Sequence, residues 1–224
     1  MKLLAPIAAL AAALVLVPAS AGSSTGSCVT TGNNVTCTDK EWVCPGVVNL
    51  GTVTVTIDQA GSGDAVKLAN GCTGSIGIID IVQYQGDGIH VTNAHDLTIG
   101  GGTIRCYGHA TGKHQDGVQV LGGSNVTLDN LDVGCYSANN SQVWINNGAG
   151  GHGAGGVPTN VVFDGGHFDG HGSGSYGVSI GDSVSSGFRD ATICPNAHPK
   201  REFNVLSSAV SPVNVGNTVE ASCP

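Results

Sequence analysis

Asp87-Gly88-Ile89-His90-Val91 and Asp116-Gly117-Val118-Gln119-Val120 are two copies of one pattern, 29 residues apart (116 − 87). The residues between them return in the same step. Leu97-Thr98-Ile99 becomes Val126-Thr127-Leu128, Thr103-Ile104-Arg105 becomes Asp132-Val133-Gly134, and Cys106-Tyr107 becomes Cys135-Tyr136. A period of this size, holding several short β-branched runs, is the signature of a solenoid. Solenoids stack equivalent positions, so the repeat also sorts residues into surface columns.

The pattern extends both ways. Downstream, Val161-Val162-Phe163 with His167-Phe168, then Gly177-Val178-Ser179-Ile180, Phe188, Thr192-Ile193 and Phe203-Asn204-Val205 continue it. Upstream, Asp64-Ala65-Val66-Lys67-Leu68 precedes the Asp87 copy by 23 residues, and Val53 to Ile57 alternates as a further strand. The expected fold is therefore all-β, a single-stranded parallel β-helix with three short strands per coil. Its turns carry Gly, Asn and Asp, which tolerate positive φ. Period-two alternation turns Val118 and Val120 inward and Gln119 outward. The matching outward column is Lys67, His90, Gln119, Trp144, Ser179 and Asn204.

Residues 1–21 read as a secretory signal: Lys2, an apolar run from Leu10 to Val17, and the small triplet Ala19-Ser20-Ala21. Residues 22–224 are then one domain, with 22–50 and 206–224 as end caps because they fit the repeat poorly. The expected location is extracellular, and the expected state a monomer. Eight Lys and Arg against sixteen Asp and Glu give −8, or 7 − 16 = −9 without Lys2. No basic stripe with interleaved aromatics suggests nucleic acid, and no apolar run is long enough for a membrane span. All eight cysteines follow the signal, as expected for an exported, disulfide-braced chain. Cys106 and Cys135 stand one coil apart, about 4.8 Å between neighbouring strands, and so are expected to bridge. The absence of CxxC pairs argues against zinc.

The stretches DGIHVTNAHDLTIGGGTIRCYG (87–108) and KHQDGVQVLGGSNVTLDNLDV (113–133) resemble the right-handed parallel β-helix of the pectin-lyase-like superfamily. The resemblance covers Val53 to Val205. KHQDGVQ (113–119) resembles segments near the active centre of some uronate-polysaccharide lyases of this fold, alginate lyases among them. The resemblance implies a lyase cutting a uronic-acid polymer, alginate- or pectate-like, by β-elimination. The acidic clusters of pectate lyases and the Asn-Thr-Asp and Asp-Asp pairs of polygalacturonases are absent. Since one fold carries many activities, the residues must argue the chemistry.

β-Elimination needs a neutralised C5 carboxylate, a base for the C5 proton and an acid for the leaving oxygen. The turn from Arg105 to Asp116 gathers such groups. Gln119 and Arg105 suit the carboxylate, Lys113 or His114 the proton, and Tyr107 the leaving oxygen. Polymer contacts are expected from His90, His109, Asp116, Tyr136, Gln142, Trp144 and Asn146. His152 joins them from the Gly-rich stretch that lengthens its coil to 35 residues between Ser141 and Tyr176. Asp64, Asp87 and Asp116 form a column of carboxylates. Either each side chain bonds a nearby backbone amide, or Asp87 and Asp116 hold a cation, calcium by their oxygen chemistry. Two rival functions remain: a glycoside hydrolase using Asp116 and Asp87, and a carbohydrate-binding β-helix without catalysis.

Overall fold

The computed structural model describes residues 26–58, 63–84, 86–107, 115–135, 141–147, 156–169, 176–194 and 203–220. Among these the chain is all strand and turn. β1 (Ser27–Thr31) and β2 (Asn34–Thr38) form an antiparallel hairpin whose second strand runs parallel to the body of the molecule. Two coils follow, β3 (Trp42–Val43) with β4 (Val47–Ile57), and β5 (Val66–Leu68) with β6 (Cys72–Gln83).

Five turns of three strands complete the solenoid. They are β7 (Ile89–Val91), β8 (Ala94–Ile99) and β9 (Gly102–Cys106); β10 (Asp116–Val120), β11 (Ser124–Asp129) and β12 (Leu131–Cys135); and β13 (Ser141–Ile145), β14 (Thr159–Asp164) and β15 (His167–Asp169). The last two are β16 (Tyr176–Ile180), β17 (Gly187–Arg189) and β18 (Thr192–Ile193), then β19 (Phe203–Val205), β20 (Val213–Val215) and β21 (Thr218–Val219). First strands stack into a seven-stranded sheet, β19-β16-β13-β10-β7-β5-β3. The others form one 14-stranded sheet whose two arms meet at β6, because the second and third strands of that coil are continuous.

Inward positions repeat in register. Ile89, Val118, Val143 and Val178 form one buried column, and Ile99, Leu128, Phe163 and Phe188 another. Removing each such side chain from water contributes about 1.5–3 kcal/mol. Toward the C-terminal end aromatic rings replace aliphatic groups: Phe163 stacks on Phe188 at 4.9 Å, and Phe168 meets both edge-on.

The turns use positive φ as expected, in a column of Asp96, Asn125 and Asn160. Their side chains form a ladder, the Asn125 amide donating to Asp96 and the Asn160 amide to Asn125, each at 3.0 Å. The glycines of the two Asp-Gly pairs have another cause. An added Cβ on Gly88 would lie 2.5 Å from the Ile104 side chain, and one on Gly117 2.4 Å from Val133. Glycine is there because the two sheets converge.

Cys106–Cys135 is bridged as expected, alongside Cys28–Cys37 and Cys44–Cys72, and Cys194 is disulfide-bonded too. Both expected caps contain coil. Val47 to Leu50 already pair with Thr73 to Ile76, and β20 and β21 stack on β17 and β18. Their sequences miss the pattern because ends lack a covering neighbour: Val47, Val215 and Val219 are 85%, 60% and 51% exposed.

Candidate functional site

The outward column forms as the alternation requires. Lys67 pairs with His90, His90 with Gln119, Gln119 with Trp144, Trp144 with Ser179, and Ser179 with Asn204. Parallel strands in unbroken register place these side chains on one face, about 4.8 Å apart. They cross the seven-stranded sheet as a row of cations, an amide, an indole and small polar groups.

At the N-terminal edge of these strands the aspartates form the amide-bonded column. The Asp87 N–H donates to Asp64 Oδ1 at 3.1 Å, and the Asp116 N–H donates to Asp87 Oδ1 at 2.8 Å. Asp64 Oδ2 also faces His90 Nδ1 at 2.8 Å and the Lys67 ammonium at 3.6 Å, while Lys67 pairs with Glu41 at 2.7 Å. Asp116 Oδ2 accepts from the Gln119 amide at 3.1 Å.

These contacts drive the acidities apart. Burial raises Asp87 well above the usual carboxylate range, and the charges of Asp116 and Asp64 add to it. Burial would also raise Asp64, but hydrogen bonds from His90 and the Asp87 amide, with the charges of His90 and Lys67, hold it below its ordinary value. For His90 burial opposes the charged ring; the hydrogen bond and charge of Asp64, then the charge of Asp87, outweigh it and raise the imidazole. Neighbouring groups with diverging proton affinities are how a site separates acid from base.

Among the described residues, several buried polar atoms here have no hydrogen-bond partner: His90 Nε2, both amide atoms of Gln115, and Ser141 Oγ. Gln115 directly precedes β10, and Ser141 pairs with Asp116. Buried polar groups are normally satisfied, so this concentration makes the edge around β7, β10 and β13 the candidate site. One ligand atom each from Asp64, Asp87 and His90 lie within 4.8 Å of one another, so the compact donor set differs from the expected Asp87 with Asp116. An imidazole is a poor member of a calcium cage, and Lys67 already supplies positive charge beside Asp64.

Other expected site residues are distributed differently. Arg105 lies on β9 of the other sheet, where it donates to the Asp132 carboxylate and carbonyl. The alternation that turned Gln119 outward could not reveal that Arg105 faces away from this column. Tyr107 is 48% exposed at the end of β9, one rung from the 44%-exposed Tyr84. Gln142 is buried, clamping the Cys135 backbone through both amide atoms (2.9 and 3.1 Å), and so does not line the groove. Trp144 is half-buried within the column, and Asn146 follows the same strand. Lys113, His114, His109, Tyr136 and His152 lie outside the described residues, as does the leader at 1–21. Sequence reasoning gave Asp64 and Lys67 only positions in columns. Their convergence on His90 needed the register, and Glu41 carried no signal.

A concavity of about 400 Å³ lies off the far ends of β13 and β16, lined by Asn147, Asp182, Ser183, Val184 and Val210 among others. No family model, curated protein or solved structure matches the chain.

Proposed function

We propose that this chain is an exported polysaccharide lyase that holds a uronic-acid polymer across the seven-stranded sheet and cleaves it by β-elimination at His90. The observation that carries the reading is the unbroken outward column Lys67–His90–Gln119–Trp144, with Asp64 bound to the imidazole at 2.8 Å. A polymer lying along the coil axis would meet one side chain per coil. Trp144 offers an apolar face for a sugar ring, while Gln119 and Asn204 offer hydrogen bonds. The resemblance of the KHQDGVQ stretch to segments of uronate lyases, read from the sequence alone, points the same way.

Asp64 fixes the imidazole, with Nδ1–H donating to its carboxylate and the Nε2 lone pair as base. His90 Nε2 is buried in the free protein, so a turn of the ring on substrate binding brings it to the C5 proton; the electron pair left behind forms the C4–C5 double bond, and the C4–O bond breaks. Tyr107, exposed at the neighbouring edge, supplies the proton for the leaving oxygen. An acidic protein can present this face to an anionic polymer because its carboxylates are offset locally. The Lys67 ammonium pairs with both Glu41 and Asp64, the neutral His90 hydrogen-bonds Asp64 without adding charge, and burial favours the protonated form of Asp87.

A hydrolase built on the aspartates has less support. Of the pair it would use, Asp116 and Asp87, Asp87 is only 5% exposed. Asp116 is fully buried.

The test is incubation with uronate and neutral polysaccharides, following ultraviolet absorbance and reducing ends together. A lyase gives both signals on uronate polymers. Reducing ends without absorbance would replace the reading with hydrolysis, and retention without product with a binding protein. Because His90 must be neutral to act and its pKa is raised, the rate should climb with pH through a midpoint above the ordinary histidine value.

A further inference from the structure

We infer that Lys67 reads the substrate's carboxylate, making the enzyme selective for unesterified uronate over its methyl ester and over neutral sugars. The inference rests on the lyase reading but concerns a different group. Lys67 and His90 are register partners on β5 and β7, and both side chains converge on one oxygen, Asp64 Oδ2, at 3.6 and 2.8 Å. In a uronate the acidic C–H and the carboxylate share a carbon, so a base and a cation must meet within one sugar. Among the described residues, Lys67 is the cation that meets the base.

The geometry leaves it capacity to bind. A lysine ammonium has three donors. Glu41 takes one at 2.7 Å and Asp64 a looser second at 3.6 Å, while the side chain remains 36% exposed. Burial works against its charge, but Glu41 and Asp64 outweigh that and keep the ammonium protonated. Glu41 thereby anchors a long, flexible side chain in place before substrate arrives, lowering the ordering cost of binding. The chemistry gives the selectivity its direction. Removing a C5 proton beside a free carboxylate builds negative charge on a group already anionic, which an adjacent cation offsets. A methyl ester starts neutral, so it gains no ground-state attraction from Lys67 and less than the free acid as the carbanion forms, its enolate carrying one charge where the acid's carries two.

The experiment compares wild type, Lys67→Gln and Lys67→Arg in two arms. Calorimetric binding of a uronate oligosaccharide and its methyl ester tests recognition, and double-bond formation on the matching polymers tests turnover. Lys67→Gln should bind the free acid at least tenfold more weakly and the ester within twofold. The acid-to-ester ratio of kcat/KM should fall about tenfold, with Lys67→Arg restoring most of it. An unchanged acid-to-ester preference in Lys67→Gln, in binding or turnover, overturns the assignment. Tight, Lys67-dependent acid binding with no unsaturated product on any polymer would uphold Lys67 and overturn the lyase reading instead.

Discussion

The two sheets carry outward charge in different ways. On the 14-stranded sheet Arg105 pairs with Asp132, with His167 Nδ1 3.4 Å from the same carboxylate, and Arg189 pairs with Asp164. Those side chains are 24–49% exposed, so water solvates them and the pairs contribute little to stability. On the seven-stranded sheet Asp64 and His90 are 16% and 18% exposed, and Asp87 is 5% exposed. The same residue types, turned into less water, have proton affinities governed by burial as well as by their partners, and they leave polar atoms unsatisfied, whereas Asp164 and Arg189 are shifted first by their mutual hydrogen bond. Charge on a solenoid face identifies little; charge that the fold has partly desolvated identifies a site.

The sharpest way to break this contrast is a matched pair of substitutions. His90→Gln keeps a polar side chain in the column but removes the base, and should lower kcat on the polymer by at least about 100-fold. Arg105→Gln removes a cation from the opposite face and should leave kcat within twofold. Loss of activity in the second variant alone would transfer the catalytic role to the other sheet.

A smaller effect tests how far the site extends along the axis. Trp144 lies two coils beyond His90 in the column. If the polymer crosses the strands there, Trp144→Ala removes a contact made equally in ground and transition states. KM should then rise about tenfold with kcat unchanged. A variant with unaltered KM would confine the substrate to the first coils.

The fold was legible because the repeat is written twice over, in apolar alternation and in the paired cysteines. The recurring strand pattern predicts the column from Lys67 to Asn204 without knowledge of any distance, although its step varies from 23 to 35 residues. The site was less legible, for a physical reason. Register tells which side chains share a face, but not how deeply a turn buries them or which oxygen two cations share. Asp64 read as one of three equivalent carboxylates, yet it alone binds His90. Gln142 read as a groove residue, yet its amide serves the Cys135 backbone. Arg105 stands on a third strand of its coil, where alternation fixes outward but not which sheet faces the substrate.

The finest test sets the same substitution against itself on the two sheets. Asp87 has a folded-state pKa raised above its unfolded value, so the folded protein binds that proton more tightly. Above the folded pKa the ionised carboxylate therefore costs stability in full. As pH falls through that value the cost is lifted, and below the unfolded pKa it has gone. Asp87→Asn keeps an oxygen to accept the Asp116 amide and removes the charge. It should raise Tm by roughly 3 °C or more at neutral pH, the gain vanishing in acid. Asp132→Asn instead removes a partner of Arg105 on a solvated face, and should lower stability by less than about 1 kcal/mol. Opposite signs from one chemical change would tie the difference to desolvation. A loss of stability in both would mean that the Asp87 charge is compensated in the fold, and the aspartate column would then be scaffolding on the same terms as the pairs outside.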